Sequence, residues 1–256
     1  SKYSLEMGEI KIFKTQDSKQ IRDYFKKYEL ETLNLAGIID NVPEAEIFTD
    51  SLDNPSGVII RYKYFNYLHT KSTKFLDEMF EELFPQGKYG FAGTTRFLTS
   101  EIKRRYKLDW ENDCDFYYMP KENYPNVSLK SNASEIDIKD AGFIDENYNY
   151  RNSHTIHEIK DAISNRPSSG IYIDGKLVCW VLIHEDDSLG FMYTMDEHRG
   201  KGFALDVSLD ISKKIIDKGK IPFLQIVSSN PMSPGLARKT GFVKKGQADW
   251  FGIIIE

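Results

Sequence analysis

The sequence predicts an α/β (α+β) protein with a mixed, mostly antiparallel sheet flanked by helices. Short apolar strands alternate with amphipathic helices along the chain, which is typical of layered α/β folds. Asp174-Gly175 joins two apolar segments, as in the tight turn of an antiparallel hairpin. Turn-forming residues are dense in residues 120–134, which indicates a linker between two domains, residues 1–127 and 128–256.

The first half shows a succession of elements without a chemical motif. Its strands are predicted at residues 9–13, 57–67 (as one or two strands), 89–92 and 115–119, and its helices at residues 19–27, 72–83 and 96–106. In the helix that Ser72 opens, apolar residues recur with the 3.6-residue period and acidic residues lie on the other face. We expect an ordinary core helix there, and no reaction can be assigned to this half.

The second half is more regular. Its strands are predicted at residues 136–138, 170–173, 177–184, 189–194 and 223–228, and its helices at residues 140–148, 157–164 and 203–218, the last ended by Gly219. Cys179 and Trp180 fall in the middle of an apolar strand, where a cysteine is expected to be core.

Composition excludes several classes of partner. A net charge of −5 over 256 residues gives no broad cationic surface for nucleic acid or an anionic membrane. Two cysteines, Cys114 and Cys179, form no disulfide framework and indicate no metal site. The longest apolar run, residues 177–183, is far shorter than the ~20 residues that span a bilayer, and the chain opens with no signal-like leader. We expect a cytoplasmic protein.

The segment after the strand at residues 189–194 carries the clearest chemical signal. Gly200 and Gly202 allow the backbone to approach a phosphate closely, and the helix that follows points its positive N-terminal end at them. Arg199 and Lys201 add positive charge. The pattern fits neither a dinucleotide fingerprint nor a P-loop, because Leu205 replaces a glycine and no Lys-Ser or Lys-Thr follows the second glycine. A tight strand-to-helix turn is the alternative interpretation.

A second pattern follows one helix and one strand later, in Asn230, Ser233, Leu236, Gly241 and Phe242. With both patterns in order, residues 134–251 resemble the GNAT superfamily of acyl-CoA N-acyltransferases. The Arg-x-x-Gly-x-Gly/Ala loop of that superfamily is matched by Arg199, Gly202 and Ala204. Within the superfamily, Cys179-Trp180, residues 194–199 and Ser233 are most similar to the C-terminal, FR47-like domain of glycine N-acyltransferases.

The resemblance implies a GNAT fold, a sheet split between its fourth and fifth strands, with the pantetheine arm of acetyl-CoA or another acyl-CoA in the gap. The residues that would hold this co-substrate are Met192, Thr194, Arg199, Gly200, Lys201, Gly202, Phe203, Ala204, Asn230 and Ser233. Asn230 precedes Pro231 and also suits a turn or helix cap. The first half would be a degenerate copy of the same architecture, the alternative being an unrelated α/β domain.

The implied reaction is direct attack of a neutral amine on the thioester, with a main-chain amide of the fourth strand stabilising the oxyanion. Glu197 is the first candidate for the general base, although an acidic residue there also suits capping of the loop. Tyr193 is the second, followed by His184 and Glu185.

Two further features bear on the activity. His154 and His157 fall on the helical region that borders the acceptor in this superfamily, but histidines on a polar helix are usually only solvated. Many members protonate the leaving thiolate with a tyrosine where this chain has Ala237, which keeps open a non-catalytic acyl-CoA-binding role.

The acidic net charge argues against a tRNA-dependent relative. The expected acceptor is a small-molecule amine or amino acid, the expected state a monomer or homodimer, and no metal is expected.

Overall fold

The computed structural model of the chain describes residues 11–227 and 233–256. It divides the chain into two compact units. The first unit takes the residues up to Cys114 together with residues 246–256, and the second unit takes residues 115–245.

The first unit is a mostly antiparallel sheet with four helices among its described residues. Its elements are β1 (Phe13–Thr15), α1 (Lys19–Lys27), α2 (Leu33–Asn41), β2 (Glu46–Thr49), β3 (Gly57–Tyr62), β4 (Phe65–Thr70), α3 (Thr73–Leu83), β5 (Gly87–Thr94) and α4 (Arg96–Arg105). Neighbouring strands pair in the order β1-β2-β3-β4-β5, and only the pairing of β4 with β5 is parallel. The end of the last strand of the chain pairs with β5.

Most of the elements predicted here form. The segment at residues 57–67 is two strands, one of the two predicted alternatives, joined by a turn in which Lys63 has a φ of 55°. The strand predicted at residues 115–119 begins earlier, at Lys107. The first strand begins at Phe13 rather than residue 9, and residues 9 and 10 lie outside the described residues. Helix α2 and strand β2 were not predicted. In α2, Asn34 and Gly37 are buried beside Leu35 and Ile38, so the apolar period is interrupted by residues of low helix propensity.

The second unit contains two sheets. Its elements are the end of β6 (Lys107–Tyr118), β7 (Ala133–Ser134), α5 (Ala141–Glu146), α6 (Thr155–Asn165), β8 (Ser169–Ile173), β9 (Lys176–Ile183), β10 (Leu189–Thr194), α7 (Phe203–Asp217), β11 (Phe223–Ile226), α8 (Pro234–Thr240) and the start of β12 (Val243–Ile255). Strands β7 to β10 form one antiparallel sheet. Strand β11 belongs to another sheet, where it pairs with residues 115–118 of β6. The predicted split between the fourth and fifth strands is confirmed.

The predicted strand at residues 136–138 is wrong. The strand is at Ala133–Ser134, where Ala133 pairs with Ile171, and Ile138–Asp140 is a 3-10 turn capped by the Asp137 side chain. Ile136 is buried because its side chain packs in an apolar cluster with Ile144 and Leu177, and its backbone amide bonds to the hydroxyl of Ser168 at 2.9 Å. Two isoleucines two residues apart imitated the strand period.

The hairpin between β8 and β9 is confirmed. Asp174 and Gly175 have φ values of 51° and 78°, which is the left-handed pair that a primed turn requires. Beneath the sheet, α7 buries Val207 and Ile211 in one core cluster with Cys179 and Leu224. This packing fixes the end of β10 against the start of α7. No helix of the described residues is both long and apolar enough to span a bilayer.

Candidate functional site

Strand β10 forms an edge of its sheet and is bulged. Gly190 pairs with Leu182 and Tyr193 with Trp180, so Phe191 and Met192 together oppose one residue of β9. Phe191 takes a φ of 52°, unusual for a bulky residue. The bulge turns the backbone near Met192, one of the predicted pantetheine contacts. The sequence contained a signal for it, because an isolated glycine within a strand often marks a bulge.

The glycine loop after β10 is open to a ligand. Gly200 and Gly202 have φ values of 77° and 81°, which side chains other than glycine rarely adopt. A Cβ built on either glycine would meet no atom within 4 Å, so the loop faces open space. Gly202 is the N-terminal cap residue of α7, and its carbonyl accepts the first helical bond, from Asp206 at 3.1 Å. The loop thus presents backbone at a helix N-terminus, as a phosphate requires.

Arg199 is held over this loop by its own neighbours. Its Nε donates to the carbonyl of Thr194 at 3.2 Å, and its guanidinium pairs with Asp196 at 3.0 Å. The guanidinium also lies 5.6 Å from the ring centre of Tyr193. Lys201 is exposed, while Phe203 and Ala204 are half-buried and pack against the core cluster beneath the sheet. The predicted pyrophosphate contacts are therefore brought together in one short segment.

The two predicted catalytic residues have different surroundings. Glu197 is exposed in the 3-10 turn Asp196–His198. Tyr193 is half-buried, and its ring centre lies 5.5 Å from that of Trp180. Cys179 is fully buried and lies 3.2 Å from the hydroxyl of Thr194, and burial raises the pKa of its thiol to about 11. A thiol with so high a pKa is a poor nucleophile, in agreement with the expected core role.

The second sequence pattern is only partly described. Asn230 lies outside the described residues. The Ser233 hydroxyl accepts a hydrogen bond from the Leu236 amide at 3.1 Å and so caps α8. Ala237, where many GNAT members have a tyrosine, is fully buried in the core cluster of the unit. The capping geometry gives Ser233 a structural role beside its predicted one in co-substrate binding.

An open pocket lies beside the bulge of β10, and sequence reasoning missed most of it. Its lining is largely aromatic and amide side chains from α5, the segment that follows it, and strands β9 and β10. The lining residues are Ile144, Asn147, Tyr148, Asn149, Tyr150, Trp180, His184, Gly190, Phe191 and Met192. Gly190 is required here, since a Cβ at this position would overlap the His184 ring at 1.8 Å.

Two titratable groups follow β9, and the first of them, His184, lines the pocket. Burial lowers the pKa of His184, and Arg166 adds to that effect while Asp186 opposes it. Burial raises the pKa of Glu185 to about 7, and the carboxylates of Glu158 and Asp186 contribute to the rise. A carboxylate that titrates near neutral pH is suited to proton transfer. In contrast, His154 is the exposed cap residue before α6 and His157 lies on that helix, and neither lines the pocket.

Within residues 11–227 and 233–256, no group of three or more His, Cys, Asp or Glu side chains has the geometry to hold a metal ion. The glycine loop fits an acyl-CoA because its two left-handed glycines leave space where a Cβ would point. The edge strand β10 and the separate strand β11 fit the extended pantetheine arm between them.

Comparison with known proteins agrees with this geometry. Residues 168–251 match the family described as FR47-like protein. No curated protein matches the chain significantly. Among solved structures, the chain is similar to a Drosophila protein with a TM-score of 0.76 and 13% sequence identity, covering 96% of this chain and 99% of that chain.

Two further similar structures carry a functional description. An acetyltransferase of the GNAT family from Colwellia psychrerythraea gives a TM-score of 0.60 with 14% identity, over 95% of this chain and 99% of that chain. A tandem GNAT protein from the clavulanic acid biosynthesis pathway gives 0.54 with 8% identity, over 95% and 98% of the two chains. The similarity to glycine N-acyltransferases in particular stays a prediction. In fold the chain is similar to these GNAT proteins, and its residues 168–251 match the FR47-like family.

Proposed function

We propose that the protein is an acyl-CoA-dependent N-acyltransferase that transfers an acyl group, acetyl first among the candidates, to the amine of a small molecule or amino acid. The observation that carries the proposal is the bulged edge strand β10, which leads into a glycine loop at the N-terminus of α7. The acetyltransferase similarity supports the same class of activity.

In the proposed complex, Gly200, Lys201 and Gly202 hold the pyrophosphate with backbone amides, and Arg199 neutralises part of its charge. Phe203 and Ala204 form the start of the helix beneath it. The backbone of Met192 and Thr194 pairs with the pantetheine arm along the open edge of β10. Asn230 and Ser233 are proposed to contact the co-substrate from the second sequence pattern.

The proposed chemistry is a direct transfer in a ternary complex. The acyl-CoA supplies a thioester whose carbonyl carbon is attacked by the amine nitrogen. The nitrogen–carbon bond forms, the carbon–sulfur bond breaks, and the electron pair leaves with the coenzyme A thiolate. The proton lost by the amine passes to a base, and the thiolate takes up a proton from water. Glu197 and Tyr193 are the proposed catalytic residues, and Glu185, whose pKa is raised to about 7, is a third candidate for the base.

Binding of the co-substrate tests the proposal first. A ligand present at 100 times its dissociation constant stabilises the folded protein by about 2.7 kcal/mol. We expect a rise in melting temperature with millimolar acetyl-CoA, and thiol release when a suitable amine is added. An unchanged melting temperature at that concentration would contradict the proposal.

A further inference from the structure

We propose that the acceptor amine has an apolar body that packs against aromatic side chains and carries no carboxylate. The inference rests on the proposed function, because it assigns the pocket beside β10 to the acceptor. It goes further by naming the chemistry that the pocket selects.

Position supports the assignment. Phe191 and Met192 line the pocket and also form the bulge of β10, on the strand that is proposed to hold the pantetheine arm. A ligand in the pocket would therefore lie next to the strand along which the thioester of the acyl-CoA is proposed to bind. Trp180 and Tyr193 face each other across the same two strands.

The walls of the pocket favour an apolar body and an ammonium. Tyr148 and Phe191 have ring centres 4.7 Å apart, and those of His184 and Phe191 are 4.4 Å apart. Trp180 lines the pocket although only 1% of it is exposed. Aromatic walls of this kind remove apolar groups from water, and their ring faces attract a cation. Asn147 and Asn149 add neutral polar groups at the rim.

The charges around the pocket disfavour a carboxylate. None of the ten lining residues, all within the described part of the second unit, is Lys or Arg. Burial lowers the pKa of His184 and so disfavours the cationic form of that ring.

The nearby arginines are each paired with a carboxylate, although Nη1 of the buried Arg166 donates no hydrogen bond. Arg166 lies 3.0 Å from Asp161 and donates from Nε to the carbonyl of Ile183 at 2.8 Å. Arg151 pairs with Asp145 at 3.0 Å. A carboxylate in the pocket would therefore be desolvated without a cation, which is strongly unfavourable, whereas the ring faces of the lining attract an ammonium. The acceptor inferred here differs from glycine, whose carboxylate lies next to its amine.

Paired ligands test the inference. 2-Phenylethylamine and phenylalanine share the same ring and chain and differ by the carboxylate, and glycine has the carboxylate without the ring. Calorimetry on the full chain saturated with coenzyme A gives their affinities, and thiol release from acetyl-CoA gives kcat/KM. We expect 2-phenylethylamine to exceed both amino acids by at least about 10-fold in each measurement, about 1.4 kcal/mol. Equal or better use of phenylalanine or glycine, or no binding of any amine, overturns the inference.

A charge variant makes the test sharper. Asn149 is exposed at the pocket, so Asn149→Arg is expected to fold and to supply the missing cation. It should shift the preference toward phenylalanine by about 10-fold, whereas the control Asn132→Arg, at an exposed asparagine outside the lining, should leave the preference unchanged. An equal shift in both variants overturns the inference. Acetyl-CoA affinity is measured separately. A wild-type protein that does not bind acetyl-CoA is then recognised as a failure of the proposed function.

Discussion

The two halves of the chain have the same order of elements but differ where a ligand would bind. Each half runs strand, two helices, three strands, helix, strand, helix and strand, from β1 to β6 and from β7 to β12. In the first half, β4 is joined to α3 by Lys71 and Ser72, and the Ser72 hydroxyl caps the helix by accepting the Phe75 amide at 3.1 Å. In the second half, the corresponding junction is the longer glycine loop before α7.

The strands beside these junctions also differ, because they pair with each other in the first half and not in the second. Strand β4 pairs with β5 through Phe65 and Asn66, and the Asn66 amide group donates to the carbonyl of Gly90 at 3.0 Å. Strands β10 and β11, their counterparts in the second half, belong to separate sheets. The first half joins its strands where the second half leaves a gap.

The interiors show the same contrast. In the first half, the Tyr24 hydroxyl lies 2.7 Å from Nδ1 of the buried His69, and Asn34 donates to the carbonyl of Ala92 at 3.2 Å. The second half instead has the aromatic pocket, which lies between α5, the segment after it, and strands β9 and β10. The same order of elements thus gives a packed interior in one half and a candidate ligand site in the other, because the first half satisfies its backbone and polar groups with its own side chains.

The largest expected effect comes from closing the glycine loop. Gly202→Glu places a side chain and a negative charge in the open space of the loop, and we expect acetyl-CoA binding to fall below detection by calorimetry. Gly219→Glu is a matched control. Gly219 has a φ of 76°, close to the 81° of Gly202, and a Cβ there also meets no atom within 4 Å, but it follows the other end of α7. Similar binding losses in both variants would mean that backbone strain, not the ligand site, is responsible.

The next effect concerns the base. If Glu197 takes the proton from the amine, Glu197→Gln keeps acetyl-CoA affinity and lowers turnover by about 10²- to 10⁴-fold at neutral pH. Raising the pH should restore part of the rate, because free amine becomes more abundant. Affinity and the pH–rate profile are the measurements, and near wild-type turnover at pH 7 would contradict this role.

Glu185→Gln tests the other carboxylate that could be the base. A base must be ionised, so a base with a pKa raised to about 7 gives a kcat/KM that falls as the pH drops below about 7. If Glu185→Gln abolishes that fall and lowers turnover while Glu197→Gln does not, the base is Glu185.

Sequence reasoning succeeded where the pattern is local. The glycine loop and the Asp174-Gly175 hairpin depend on conformations that few residues adopt, so their sequences reveal them. The pocket was missed because its walls come from separate elements, and Tyr148 and Trp180 look like ordinary core aromatics in the sequence. The raised pKa of Glu185 was likewise invisible, since it arises mainly from burial and also from carboxylates that include Glu158 on α6.

A smaller effect is expected in the first half. Tyr24→Phe removes the hydroxyl beside His69 Nδ1 and leaves a buried polar group without that partner, which costs about 1–3 kcal/mol of unfolding free energy. Tyr89→Phe is the control, because its hydroxyl bonds to the Pro85 carbonyl at 2.7 Å in an exposed position and should matter less. Acetyl-CoA affinity should be unchanged in both variants. A change in affinity for Tyr24→Phe alone would contradict a purely structural role for the packed first half.

The smallest effect separates the two roles of Ser233. As a cap, the Ser233 hydroxyl accepts a hydrogen bond from the Leu236 amide at 3.1 Å, so Ser233→Ala should lower the free energy of unfolding by about 1 kcal/mol. Ser72→Ala removes a cap with the same hydrogen-bond length in the first half and should lower it by a similar amount. As a co-substrate contact, Ser233 should affect acetyl-CoA affinity as well. We therefore expect similar falls in melting temperature for both variants, but a loss of affinity, by about 2- to 10-fold, only for Ser233→Ala, since one neutral hydrogen bond contributes about 0.5–1.5 kcal/mol. Unchanged affinity in Ser233→Ala would leave the serine as a cap alone and would remove it from the proposed acyl-CoA site.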